Sequence, residues 1–161
     1  MKAMLIAMTV AATAVAAFGG VLDNAWIRGT TDKDPITYRP GEKMTFTLTP
    51  QGLDGALPEG EYFLQWTRSG DDGIREEGKV PFTAAPFVYA TKIDKPGFVR
   101  IQAYVVDKKG ARYVKKFTGD ATTPEGKAAM NRFERQNKSV FFDGGAGADL
   151  ASLKTEPEPT D

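Results

Sequence analysis

Two acidic pairs, Asp71-Asp72 and Glu76-Glu77, have the residue types that glycoside hydrolysis divides between an acid and a base or nucleophile. Both lie in or beside Ser69-Gly70-Asp71-Asp72-Gly73, whose composition is that of a hairpin tip, so they read as solvated turn charges. Nucleophiles are scarcer still. The serines are Ser69, Ser139 and Ser152, and the chain contains neither Cys nor His. That removes thiolate nucleophiles, imidazole bases, disulfides and the commonest zinc ligands together. Lys138 and Lys154 are the lysines nearest to a serine. Strand neighbours point to opposite faces, however, and a lysine base needs a desolvated pocket. No catalytic residue is expected.

Asp143-Gly144-Gly145-Ala146-Gly147-Ala148-Asp149 invites a phosphate or calcium reading. No Lys follows it as in a nucleotide loop, the dinucleotide glycine spacing is incomplete, and the alternating acids with a closing Glu of a calcium loop are missing. The glycines therefore read as a flexible joint where backbone passes close to a neighbouring domain, and neither a metal nor a cofactor is expected. Aromatic rings are the other candidate chemistry. Trp26, Tyr38 and Trp66 could stack on sugar rings, although strand aromatics at alternate spacing more often serve a core.

Strands must position whatever acts here. Val99, Ile101, Ala103 and Val105 alternate with Phe98, Arg100, Gln102, Tyr104 and Val106, which predicts a central strand with one apolar and one mixed face. Asp107-Lys108-Lys109-Gly110 should turn the chain, with Arg112 to Phe117 returning as its antiparallel partner. Upstream, Ala25 to Thr30 and Ile36 to Tyr38 read as a broken edge strand. Met44, Phe46 and Leu48 point inward from the next, and Tyr62, Leu64 and Trp66 share a face of the third. Ile74 to Val80 and Phe87 to Thr91 complete the set. Regular short strands separated by turn chemistry predict an all-β fold, an immunoglobulin-like antiparallel β-sandwich with a short C-terminal helix and an extended linker tail. Thr123 as cap and Pro124 at the first position start that helix, and Ala129, Met130 and Phe133 should pack it on the sandwich edge.

The chain has 161 residues, 21 basic and 21 acidic, so no net field favours nucleic acid or an anionic membrane as partner. Residues 1–17 have the short basic start, apolar run and small-residue site of a secretory signal peptide. Export without cysteine points to a bacterial periplasm or exterior. The expected organisation is signal 1–17, sandwich 22–118, helix and terminal strand 119–142, and a Gly/Pro-rich interdomain linker 143–161.

Phe141-Phe142-Asp143-Gly144-Gly145-Ala146-Gly147-Ala148-Asp149-Leu150, then Leu153-Lys154 and Glu156-Pro157-Glu158-Pro159-Thr160-Asp161, resembles the segment before the hydrolase domain in the acetylxylan esterase and cephalosporin-C deacetylase family. The resemblance implies an α/β-hydrolase partner in cis after Asp161, with Phe141, Phe142, Gly144, Gly145 and Gly147 at the interdomain contact. The family's catalytic Ser, Asp and His do not carry over, because His and the Gly-x-Ser-x-Gly elbow are absent. The expected function is a non-catalytic accessory or docking domain of a secreted carbohydrate esterase, truncated before its hydrolase. The alternative is a free-standing carbohydrate-binding module for a plant polysaccharide.

Overall fold

The computed structural model describes residues 20–117, 119–136 and 139–149; the expected signal peptide and the tail from Leu150 lie outside them. Seven strands and one helix follow in order: β1 (Trp26–Thr31), β2 (Met44–Gln51), β3 (Tyr62–Gly70), β4 (Glu76–Pro81), β5 (Phe87–Thr91), β6 (Gly97–Asp107), α1 (Pro124–Gln136) and β7 (Phe141–Ala148). They form a three-stranded sheet ordered β1-β2-β5 and a four-stranded sheet ordered β4-β3-β6-β7, every ladder antiparallel. This is the immunoglobulin-like sandwich that the strand spacing predicts.

Period-two alternation places the core as expected. Met44, Phe46 and Leu48 from one sheet meet Leu64, Val99, Ile101, Ala103 and Val105 from the other, all buried. β6 sits between β3 and β7, so it is the central strand.

The strand partner on its far side is not the one expected. The turn forms, with Gly110 at a φ of +85° and the Asp107 carboxylate accepting from the Lys109 and Ala111 amides. Beyond it, the backbone pairing of Arg112 to Phe117 among the described residues is an isolated bridge from Arg112 to Val106 and one bond from the Tyr113 amide to the Val105 carbonyl. The reason is competition for a single edge. β3 occupies one side of β6, and β7, entering with the Val105 amide on the Val140 carbonyl, takes the other.

β7 corrects the domain boundaries as well. The glycine-rich run Asp143 to Ala148 is strand, paired residue by residue with Gly97 to Gln102, so these residues are not linker. Small residues suit the site. A Cβ on Gly145 would lie 2.0 Å from the Val99 carbonyl oxygen.

α1 starts as predicted, with the Gly126 amide on Thr123 Oγ1 at 3.0 Å. Its Phe133 meets Phe117, with ring centroids 5.7 Å apart, so the helix rests on the 114–117 segment instead of on a sheet.

The two long sides of the sandwich close differently. Between β1 and β7, Tyr38 bridges Ala148 in parallel, and the Gly147 and Asp149 amides donate to the Pro35 and Tyr38 carbonyls. Gly29 makes room there for the Phe142 ring, which a Cβ would approach to 1.9 Å. Among the described residues no backbone ladder joins β4 to β5. Side chains hold that side instead: Tyr89 Oη donates to Glu76 at 2.5 Å, and Arg68 Nη2 donates to the Lys92 carbonyl at 3.2 Å.

Candidate functional site

The outward face of the four-stranded sheet is built from the residues that alternate with the core. Phe98, Arg100, Gln102 and Tyr104 of β6 stand opposite Gly147, Gly145, Asp143 and Phe141 of β7, and Ser69, Thr67 and Gln65 of β3 flank Arg100, Gln102 and Tyr104 on the other side. At one end the Tyr104 and Phe141 rings lie nearly parallel, with centroids 6.1 Å apart. The Arg112 guanidinium sits 3.7 Å over the Tyr104 ring, a cation–π arrangement. At the other end Phe98 lies over Gly145, where a Cβ would come within 2.5 Å of its ring.

A charged clamp spans the middle. Arg100 grips both oxygens of Asp143, with Nε on Oδ1 at 2.6 Å, and Gln102 Nε2 adds a contact at 3.3 Å. The guanidinium holds the Asp143 carboxyl below the ordinary carboxylate range, so the clamp stays ionised at neutral pH. Phe141 is 46% exposed and Phe98 is 40% exposed, and Tyr104 follows Phe98 six positions along the strand. At the rise of an extended strand that is about 20 Å. Phe, Tyr and Arg, which this face carries, are among the residue types enriched at protein interfaces.

Of the residues expected at an interdomain contact, Phe141, Gly145 and Gly147 belong to this face. Phe142 and Gly144 point the other way, Phe142 half-buried against the core and over Gly29. The sugar-stacking set does not assemble. Tyr38 is 1% exposed and donates its hydroxyl to Asp32 at 2.6 Å, so it is a core residue. Trp66 is half-buried with ring centroids 4.6 Å from Tyr89 and 5.8 Å from Phe87, inside the sandwich. Only Trp26, 52% exposed at the start of β1, keeps an open ring.

Most of the acidic pairs also have structural roles. Asp71 accepts the Phe98 amide at 2.7 Å, and Asp72 accepts both terminal nitrogens of Arg68 at 2.6 and 2.5 Å. Glu76 takes the Tyr89 hydroxyl, which leaves Glu77, exposed near Arg75, as the solvated acid. Ser69 faces outward beside Arg100, and Ser152 lies outside the described residues. No group of three acidic side chains able to hold a metal occurs among the described residues.

Sequence reasoning missed Phe98, Arg100, Tyr104 and Arg112 as a surface. Three of the four were already visible as the mixed face of the central strand, but Arg112 becomes a neighbour only because its segment folds back over Tyr104. Comparison with known protein families, curated proteins and solved structures found no match. The functional reading therefore rests on this face and on the resemblance of the C-terminal segment.

Proposed function

We propose that this chain is a non-catalytic docking domain, and that the outer face of β3, β6 and β7 receives a partner protein domain. The observation that carries the reading is the pair of open apolar anchors, Phe98 and Phe141, flanking a clamp whose charges are already satisfied within the chain. Such a centre can be covered without stranding a charge, which is the main cost of burying ions at an interface. The resemblance of residues 141–161 supplies the partner: an α/β-hydrolase domain in cis, in a secreted carbohydrate esterase. The 13 residues after Ala148 reach at most about 45 Å, more than twice the length of the face, so a domain joined at Asp161 could fold back onto it.

Carbohydrate binding is the second reading, and one contact disfavours it. Arg112 covers the Tyr104 ring at 3.7 Å, the face on which a sugar would stack. The two readings separate in one comparison. A hydrolase domain of the resembled family, added in trans, should bind the wild-type chain and bind F98S/F141S at least tenfold more weakly, while xylan should not retard the chain in affinity electrophoresis. Retardation by xylan that is lost in F98S/F141S, with no hydrolase binding, would favour the sugar module.

A further inference from the structure

The sandwich side between β4 and β5 holds a groove of about 810 Å³, open to solvent, at the end where β4 begins with Glu76 and the free edge of β5 finishes at Ala90 and Thr91. Ala90, Thr91 and Lys92 form one wall, and Ile74, half-exposed, and Glu76 form the other. Arg68 makes the floor. The opposite side of the sandwich is zipped by backbone hydrogen bonds at residues 35–38, whereas here the second edge of β5 has no strand partner among the described residues. An unpaired strand edge beside a cleft is a template for adding one more strand.

Charge decides what kind of strand. The groove carries four cations, Lys43, Arg68, Lys92 and Lys95, against three carboxylates, Asp72, Glu76 and Asp94. The acids are all engaged within the chain, Asp72 by Arg68, Glu76 by Tyr89 and Asp94 by Lys92. Lys43 and Lys95 have no ion-pair partner among the described residues, and the floor's Arg68 Nε–H, fully buried, has no acceptor. The groove thus presents the exposed ammonium groups of Lys43 and Lys95 to an incoming chain, while Arg68 stays buried on Asp72 and the acids are already ion-paired or hydrogen-bonded.

We propose that the groove between β4 and β5 binds an extended acidic peptide segment, which pairs with the free edge of β5 and places its carboxylates against Lys43 and Lys95. This site is separate from the outer face of β6 and β7 and does not depend on the docking reading. A fluorescein-labelled Glu-Val repeat hexapeptide, with a Lys-Val repeat as its counterpart, tests it by polarisation on the full chain. The acidic peptide should bind saturably and at least tenfold more tightly than the basic one. K43E/K95E should reverse that preference, F141S should leave it unchanged, and amide exchange should slow across Ala90 to Lys92. The proposal is overturned by equal binding of the two peptides, by no saturation at millimolar peptide, or by a preference that survives K43E/K95E. Loss in F141S, or protection confined to β6 and β7, would move the peptide to the outer face and overturn it equally.

Discussion

Arg68 shows how one side chain can fix several segments at once. It continues the inward alternation of Tyr62, Leu64 and Trp66 and is 1% exposed, so a guanidinium is buried where periodicity asks for an apolar residue. Asp72 follows four residues later and supplies both acceptors; Ile74 and Lys92 add carbonyls, tying β3 to the next turn and to the end of β5. The pattern was legible, since Arg68 has the parity of Trp66, but which acid would answer it was not. Asp71 and Asp72 are adjacent in one turn and differ only in where the turn aims them. Replacing Asp72 by Asn leaves a buried cation without its counter-charge and should cost about 3–5 kcal/mol, read by urea unfolding. The Arg68 hydrogen bonds hold the Asp72 carboxyl below its ordinary 3.8. A depressed folded-state value means that this stabilisation is complete above the unfolded value and is lost as pH falls through the folded one. Wild type should therefore lose stability from about pH 4 downward through this group, whereas D72N should show a smaller loss in that window. Parallel acid profiles for the two proteins would contradict the assignment.

Among the elements, β6 was the most legible and β7 the least. Strict alternation over Phe98 to Val106 states both faces of β6, and Val99, Ile101, Ala103 and Val105 are all 0% exposed. Ile101→Asp should accordingly cost several kcal/mol, as a lone carboxylate in an apolar core does. Arg100→Asp, on the solvated outer face, should cost much less, through loss of the Asp143 pair and repulsion of that carboxylate. Equal losses in thermal melts would mean that the faces are exchanged. β7 was obscured by its own composition. Gly and Ala carry little strand propensity and no alternation, so Gly144 to Ala148 read as a joint, while the structure uses their smallness for close passage by Val99, Phe98 and Phe142. Conversely, Arg112 to Phe117 looked like a strand locally and lost its edge to a segment far along the chain. Propensity cannot rank two candidates for one ladder; only tertiary packing does. Gly29→Val tests the seam that β7 makes with β1. Its side chain would occupy the Phe142 ring position, so a drop in melting temperature is expected, and F142A/G29V should recover part of it.

At the scale of the whole molecule, the sandwich was read correctly from strand spacing, while its surfaces were not. Aromatic weight alone pointed to Tyr38, which is buried, and Trp66, which is half-buried against the core, and passed over Phe98, which is 40% exposed beside the glycines of β7. The result is an asymmetric module. One long side is sealed by backbone pairing, the other is bridged by side chains around a groove, and the broad outer face carries two open phenylalanines about a self-neutralised clamp. The central claim is that this outer face docks a partner domain. Amide exchange compared between the chain alone and the chain fused after Asp161 to a hydrolase domain of the resembled family tests it most directly. Added protection across Phe98 to Tyr104 and Phe141 to Gly147, abolished by F98S/F141S, is the predicted result; exchange on that face unchanged by the fusion would contradict it.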